Sequence, residues 1–251
     1  MLTGILASRL VFADAPPRKS PWEAFRDNWN ALKADGRIPF QKSATPSSFG
    51  AAKDKLAVVV AGDKTGSGFL LHDGGRVYLF TNAHVVRDAA FVRATRLDGR
   101  PLKLGTCDFA RNSDLARFEL NETHPAFRLE TGLPDIGEPI VVLGNSDGRG
   151  VVTEIRGRVL GVGPQELEVD AKFVSGNSGS PVLNRNGKVV AIASYLRDCR
   201  DDADWSKTDT RFNGIRRFAI RPRGIRWFRP LKTPLPTADG ATAHQDTLRD
   251  E

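Results

Sequence analysis

The chain has 251 residues, 40% of them hydrophobic and 27% charged, with a formal net charge of +7. These proportions exclude fibrous and wholly disordered proteins and allow one sizeable core or two small barrels packed together. The two cysteines, Cys107 and Cys199, lie outside the close Cys/His spacings of zinc sites and redox pairs, and their pairing as one disulfide in an oxidising compartment stays open at this level.

In chain order, residues Leu2 to Phe12 are mainly apolar and lead into Ala13-Asp14-Ala15, the small-x-small pattern of a signal-peptidase site, then Pro16-Pro17. The stretch is short, lacks a basic n-region and is interrupted by Arg9, so residues 1–15 read as the remnant of a signal peptide. The mature protein is then expected to be exported, periplasmic or secreted. No later segment approaches the ~20 apolar residues of a membrane-spanning helix, so the product is expected to be soluble. Residues 16–54 are expected to form a short N-terminal helix and a linker. Ser20-Pro21-Trp22-Glu23 has the cap, proline and acidic residue of a helix start. Trp22, Phe25, Trp29 and Leu32 then share one face that packs on the body or on a partner, and Gly36 is a stop. Gln41 to Lys53 has linker composition.

From Leu56 the period becomes that of strands. Leu56 to Ala61, Phe69 to Leu71, Val77 to Thr81, Ile140 to Leu143, Val151 to Ile155, Arg158 to Val162 and Val189 to Tyr195 are short apolar runs. They are punctuated by Asp73-Gly74-Gly75, Asp98-Gly99, Asp147-Gly148, Gly163-Pro164 and Asn186-Gly187. This predicts an all-β fold of closed or nearly closed antiparallel sheets.

Three spots within this region carry chemistry: Thr81-Asn82-Ala83-His84, Asp114-Leu115-Ala116 and Gly176-Asn177-Ser178-Gly179-Ser180-Pro181. A serine hydroxyl needs an imidazole to take its proton, and the imidazole needs an anion on its other nitrogen. His84 alone of the four histidines follows an apolar strand, whereas His72, His124 and His244 read as surface residues. Asp108 competes with Asp114 for the carboxylate role, and the Asp-Leu-Ala context at a strand entrance favours Asp114. Gly176 and Gly179 let the backbone turn sharply around Ser178, with the amides of Gly176 and Ser178 as candidate oxyanion donors.

With Gly66-Ser67-Gly68-Phe69 added, these motifs over about residues 55–222 resemble a chymotrypsin-fold serine peptidase, nearest to the bacterial HtrA-type peptidase body without a PDZ domain. The resemblance implies two antiparallel β-barrels, about 55–125 and 126–230, with the active site in the cleft between them; the polar, Pro-, Thr- and Asp-containing composition of residues 231–251 reads as a tail. The resemblance also implies His84 as general base, Asp114 as orienting carboxylate and Ser178 as nucleophile in a serine endopeptidase. Such an enzyme works through an acyl-enzyme on protein or peptide substrates, with no metal or organic cofactor. Asn177 stands where digestive relatives carry an aspartate that pairs with a liberated N-terminus, so activation by N-terminal cleavage is not expected. The resemblance places the first substrate pocket between Lys172-Phe173-Val174-Ser175 and Ser194-Tyr195-Leu196. There Lys172 favours an acidic side chain, Asp198, Asp201, Asp202 and Asp204 a basic one, and Phe173 with Tyr195 an apolar one.

The basic excess is local. From Arg211 to Lys232 the chain carries eight cationic residues and no acid. Interleaved with Phe212, Phe218, Trp227 and Phe228, they form either the wet face of a half-buried strand or a strip for nucleic acid or another anionic polymer. A catalytically inactive peptidase-fold binding module is the alternative to an enzyme.

Overall fold

The structure is a computed structural model that describes residues 48–200, 214–230 and 235–236. The expected signal segment, the Trp22 to Leu32 stripe, Asp201 to Asp204, Arg211, Phe212, Lys232 and His244 lie outside the described residues. The described part opens on one helical turn, Ser48–Ala52 (α1), and a tighter turn at Lys53–Lys55. This departs from the expected linker, because Ala52 is buried with Leu56, Phe69 and Phe127 and so belongs to the core.

Strands follow at Leu56–Ala61 (β1), Lys64–Asp73 (β2), Arg76–Thr81 (β3), Phe91–Arg96 (β4), Leu104–Ala110 (β5) and Ala116–Leu120 (β6). A helical turn, Ala83–Val86 (α2), stands between β3 and β4. The chain continues through Pro139–Asn145 (β7), Val152–Val162 (β8), Glu166–Val169 (β9), Pro181–Asn184 (β10), Val189–Asp198 (β11), Ile215–Ile220 (β12), Trp227–Phe228 (β13) and Leu235–Pro236 (β14). Strands β7 to β12 close into a barrel in the order β10-β11-β12-β9-β8-β7, and the others form an eight-stranded sheet, β13-β5-β6-β3-β2-β1-β4-β14. The all-β expectation is met, with two differences of detail. The runs around Ile155 and Val159 are one continuous strand, paired with β7 through Gly157. Trp227 and Phe228 leave the second barrel and pair with Ala110 and Phe109 of β5 in the first sheet.

Successive side chains of a strand point to opposite faces, and here both faces are covered. In β2, Leu70 enters the interior of the first sheet, while Phe69 and Leu71 enter a middle layer; β3 repeats this with Leu79 against Tyr78 and Phe80. From the second barrel, Val141, Leu143, Leu183 and Ile192 meet that middle layer, while Ile140, Val142, Val182 and Ala193 fill the barrel interior. Double burial is why these strands read as continuous apolar runs. Both cysteines are free thiols and buried, and burial pushes the Cys107 thiol up to about 12, which keeps it protonated and inert.

Phe69 is completely buried, with ring centroids 6.0 Å from both Phe80 and Phe127. Replacing it with alanine removes the centre of the middle layer, so Phe69→Ala is expected to lower unfolding stability by about 3–5 kcal/mol, measured by urea denaturation.

Candidate active site

His84 is the second residue of α2, which begins where β3 ends; Asp114 lies in the bend that leads into β6; Ser178 lies in the turn that leads into β10. The Asp114 carboxylate joins these elements. Its Oδ2 lies 2.6 Å from His84 Nδ1 and accepts the Ser194 hydroxyl at 2.9 Å, while Oδ1 accepts the His84 backbone N–H at 2.8 Å. Its own carbonyl accepts the Asn82 side-chain amide at 2.8 Å and the Ala83 N–H at 3.2 Å. Both ends of Asp114 therefore grip the first turn of α2 and set the imidazole plane. Burial works to raise the Asp114 carboxyl, but the hydrogen bonds and charge of His84, with the Ser194 hydroxyl, outweigh it and hold the group below its ordinary value.

Asp108 is committed elsewhere. It takes Arg117 at 3.2 Å and Arg229 at 2.9 Å, and Arg117 reaches on to Asp73 at 2.6 Å. Of the other histidines, His72 is exposed, while His124, expected at the surface, keeps only 9% of its side chain accessible, with Nε2 3.9 Å from Glu122.

The Ser178 hydroxyl donates to the Ser194 carbonyl at 3.2 Å rather than to His84, while the separate Ser194 hydroxyl donates to the Asp114 carboxylate that holds His84. Among the described residues the backbone amides of Gly176 and Ser178 have no acceptor within the protein, whereas those of Asn177, Gly179 and Ser180 are all taken. Both flanking glycines are required by their surroundings. Gly176 has φ of +89°, and a Cβ on it would lie 2.3 Å from the Asn145 carbonyl; Gly179 has φ of +90°, and a Cβ there would lie 2.1 Å from the Ser67 carbonyl.

Ser67, absent from the site expected from sequence, holds this turn from the other sheet. Its hydroxyl donates to the Gly176 carbonyl and accepts the Asn145 N–H, both at 2.8 Å, and its own N–H donates to the Ser178 carbonyl at 2.8 Å. The neutral Asn177 side chain is buried and accepts the Val174 N–H at 3.0 Å and the Ser146 hydroxyl at 3.2 Å, so the turn is braced from within. The Gly66-Ser67-Gly68-Phe69 motif was the available signal for Ser67, but only its resemblance value was legible.

The expected pocket residues separate. Lys172 is exposed. Phe173 is buried in the second-barrel core with Val169, Ala193 and Ala219, so it lines no apolar slot with Tyr195. Tyr195 turns to the outer face, where it stacks on Phe218 at 5.0 Å and donates to Glu166 at 3.0 Å; there it borders a groove of about 430 Å³ shared with Arg87, Arg111, Asp114 and Glu166. Ser194 is buried beside Asp114, and Leu196 is exposed. Asp198 is held by Arg200 at 2.5 Å, a bond that brings its carboxyl down to about 2. The basic run also disperses: Arg216 pairs with Glu168 at 2.7 Å, and Arg221 is buried, donating to the Gly163 and Pro164 carbonyls at 3.3 Å.

A closed antiparallel barrel beside a second sheet, with serine, histidine and aspartate linked between them, defines the class of chymotrypsin-like folds. The chain belongs to the trypsin-like peptidase family, whose description "Trypsin-like peptidase domain" matches residues 66–192. It is 34% identical over 142 residues to the Rhizobium meliloti protein named "Probable periplasmic serine endoprotease DegP-like", a match covering 52% of this chain and 28% of that protein. It is 29% identical over 158 residues to the serine protease Do-like HtrA of Bacillus subtilis, covering 56% of this chain and 35% of that one. The crystal structure of the serine endoprotease from Yersinia pestis superposes with a TM-score of 0.56 and 25% identity, over 71% of this chain and 64% of that one. The chain thus spans about a third of the curated relatives that it matches.

Two measurements check this geometry. Gly179→Ala is expected to destabilise the fold by about 3 kcal/mol or more, because positive φ and a backbone clash act together, and urea midpoints would report it. The folded Asp114 carboxyl binds its proton less tightly than the unfolded one, so its contribution to stability is complete above the ordinary carboxylate value of about 4 and is lost as pH falls through the lowered folded value. Asp114→Asn should therefore show a shallower loss of stability than the wild type when urea midpoints are followed from neutral pH downward.

Proposed function

We propose that the protein is an exported serine endopeptidase that hydrolyses peptide bonds of protein or peptide substrates through Ser178, His84 and Asp114. The observation that supports this reading most is the Asp114 carboxylate, which bonds both His84 Nδ1 and the His84 backbone and so leaves Nε2 as the free ring nitrogen. With substrate bound, the Ser178 hydroxyl leaves the Ser194 carbonyl, gives its proton to His84 Nε2 and bonds to the substrate carbonyl carbon. The carbonyl oxygen takes up the negative charge and is received by the Gly176 and Ser178 amides, an interaction worth about 3 kcal/mol per donor in such sites. Asp114 stabilises the imidazolium formed at this moment.

Collapse breaks the carbon–nitrogen bond as His84 returns the proton to the leaving amine, giving the Ser178 ester. A water molecule then loses a proton to His84, attacks the ester, and releases the acid with Ser178 restored. Because Asn177 carries no charge and its side-chain oxygen is held by the Val174 N–H and the Ser146 hydroxyl, the active arrangement is expected not to depend on a liberated N-terminal ammonium. Export is supported by the small-x-small pattern near residue 15 and by the periplasmic naming of the Rhizobium relative. No helix among the described residues is long and apolar enough to cross a membrane.

The test is labelling of the purified protein by a fluorophosphonate probe. Wild type is expected to be labelled, and Ser178→Ala and His84→Ala to lose labelling while remaining folded by circular dichroism. Absence of labelling in folded wild type, or labelling that arises only after N-terminal cleavage, would count against the reading.

A further inference from the structure

We propose that Arg217 forms the charged wall of the subsite next to Ser178 and selects an acidic side chain, aspartate or glutamate, on the residue whose carbonyl Ser178 attacks. The proposal rests on the endopeptidase reading and adds its substrate class.

The location follows from the backbone around Ser178. A substrate carbonyl that points its oxygen at the Gly176 and Ser178 amides must place the preceding side chain against the second barrel. Two segments of that barrel adjoin Ser178: the end of β11, whose Ser194 carbonyl accepts the Ser178 hydroxyl at 3.2 Å, and residues 172–177, which lead into the turn. Arg217 spans both. It is paired with Leu196 across β11 and β12, and its Nε donates to the Phe173 carbonyl at 3.0 Å.

Strand alternation gives its direction. Residues 217 and 219 share one face of β12, and Ala219 lies in the barrel core with Phe173, so Arg217 stands on the inward face at the end of the barrel. Arg216 and Phe218 take the opposite face, where Arg216 holds Glu168 and lies over the Phe218 ring. The two adjacent arginines thus have different duties.

The electrostatics give the ligand. Arg217 is half-buried, and among the described residues no carboxylate pairs with it. Arg96, Arg117 and Arg216, half-buried like Arg217, each hold an aspartate or glutamate, and Arg221, buried without a carboxylate, stands away from Ser178 on the Gly163 and Pro164 carbonyls. Burial alone pulls the Arg217 guanidinium down from its ordinary value, the mark of a charge enclosed without a counter-ion.

Nε and Nη1 are held by the Phe173 and Ile215 carbonyls, so the planar group is already oriented, and Nη2 keeps its donors for an incoming group. A carboxylate accepts those donors and neutralises the charge. An apolar side chain leaves the guanidinium desolvated without return, and a basic one is repelled. Asp198, the described acid that sequence put forward for a basic substrate, is occupied by Arg200.

The experiment uses the mature protein, fluorophosphonate labelling, and a matched series of peptide aminomethylcoumarin substrates that differ only before the scissile bond, with Asp, Glu, Ala, Val or Arg there. Wild type is expected to be labelled and to cleave the Asp or Glu substrate at least about tenfold better than the Ala one, with the Arg substrate poorest. Arg217→Ala should lower the acidic-to-alanine ratio of kcat/KM by about a hundredfold, the scale of losing a desolvated charge partner, and Arg217→Lys should retain part of the preference. Labelled wild type with no acidic preference overturns the Arg217 assignment and leaves the endopeptidase reading standing, even if the variants fail to fold. An Arg217→Ala variant that keeps the preference also overturns it. Folded wild type that neither labels nor cleaves overturns both.

Discussion

A single buried serine in β2 sets the shape of the turn that carries Ser178. Ser67 is 1% exposed, and every polar atom it has is engaged: its hydroxyl with Gly176 and Asn145, its N–H with Ser178, its carbonyl with the Thr81 hydroxyl. Three of those four bonds reach the other barrel. Buried to 1% exposure, these groups are shielded from bulk solvent, so moving the turn away from β2 would strand several donors and acceptors, each at a cost of about 1–3 kcal/mol. The unusual backbone of Gly176 and Gly179 persists because the surrounding bonds over-determine it.

Charge placement completes the arrangement. The first sheet holds two acidic centres with different company. Asp108 lies among Arg117 and Arg229, with Arg117 also stacked between Tyr78 and Trp227, so its charge is spent on binding β5, β6 and β13 together. Asp114 meets no lysine or arginine among the influences that lower its pKa; they come from His84 and the Ser194 hydroxyl. Its field is directed at one imidazole. Had Arg117 reached both acids, the anion available to an imidazolium would have been partly neutralised in advance.

The strands and the three chemical motifs were legible because each depends on local pattern: apolar runs closed by Gly-containing turns, and short signatures that agree in order. What escaped depended on parity in irregular backbone. Phe173 lies in a stretch without regular pairing, where alternation gives no direction, and the structure turns it into the barrel core. Tyr195 follows an irregularity between Ala193 and Tyr195 in the pairing with β12, which moves it to the outer face. The arginines from residue 216 onward looked like one strip because spacing along the chain does not reveal that neighbours in a strand face opposite ways. Ser67 escaped because its partners are distant in sequence and no local pattern announces them.

Trp227 and Phe228 give the fold a late closing stitch. Their partners on β5 are Ala110 and Phe109, and the Trp227 ring meets Phe80 edge-on at 5.6 Å. Between those partners the chain must complete every strand of the second barrel. The outer edge of β5 therefore stays open until the chain beyond the second barrel returns to it, and an open edge invites pairing with other chains. The first sheet, although earlier in the chain, is completed only by strands that follow the second barrel, so its closure and the barrel's are expected to be coupled in folding.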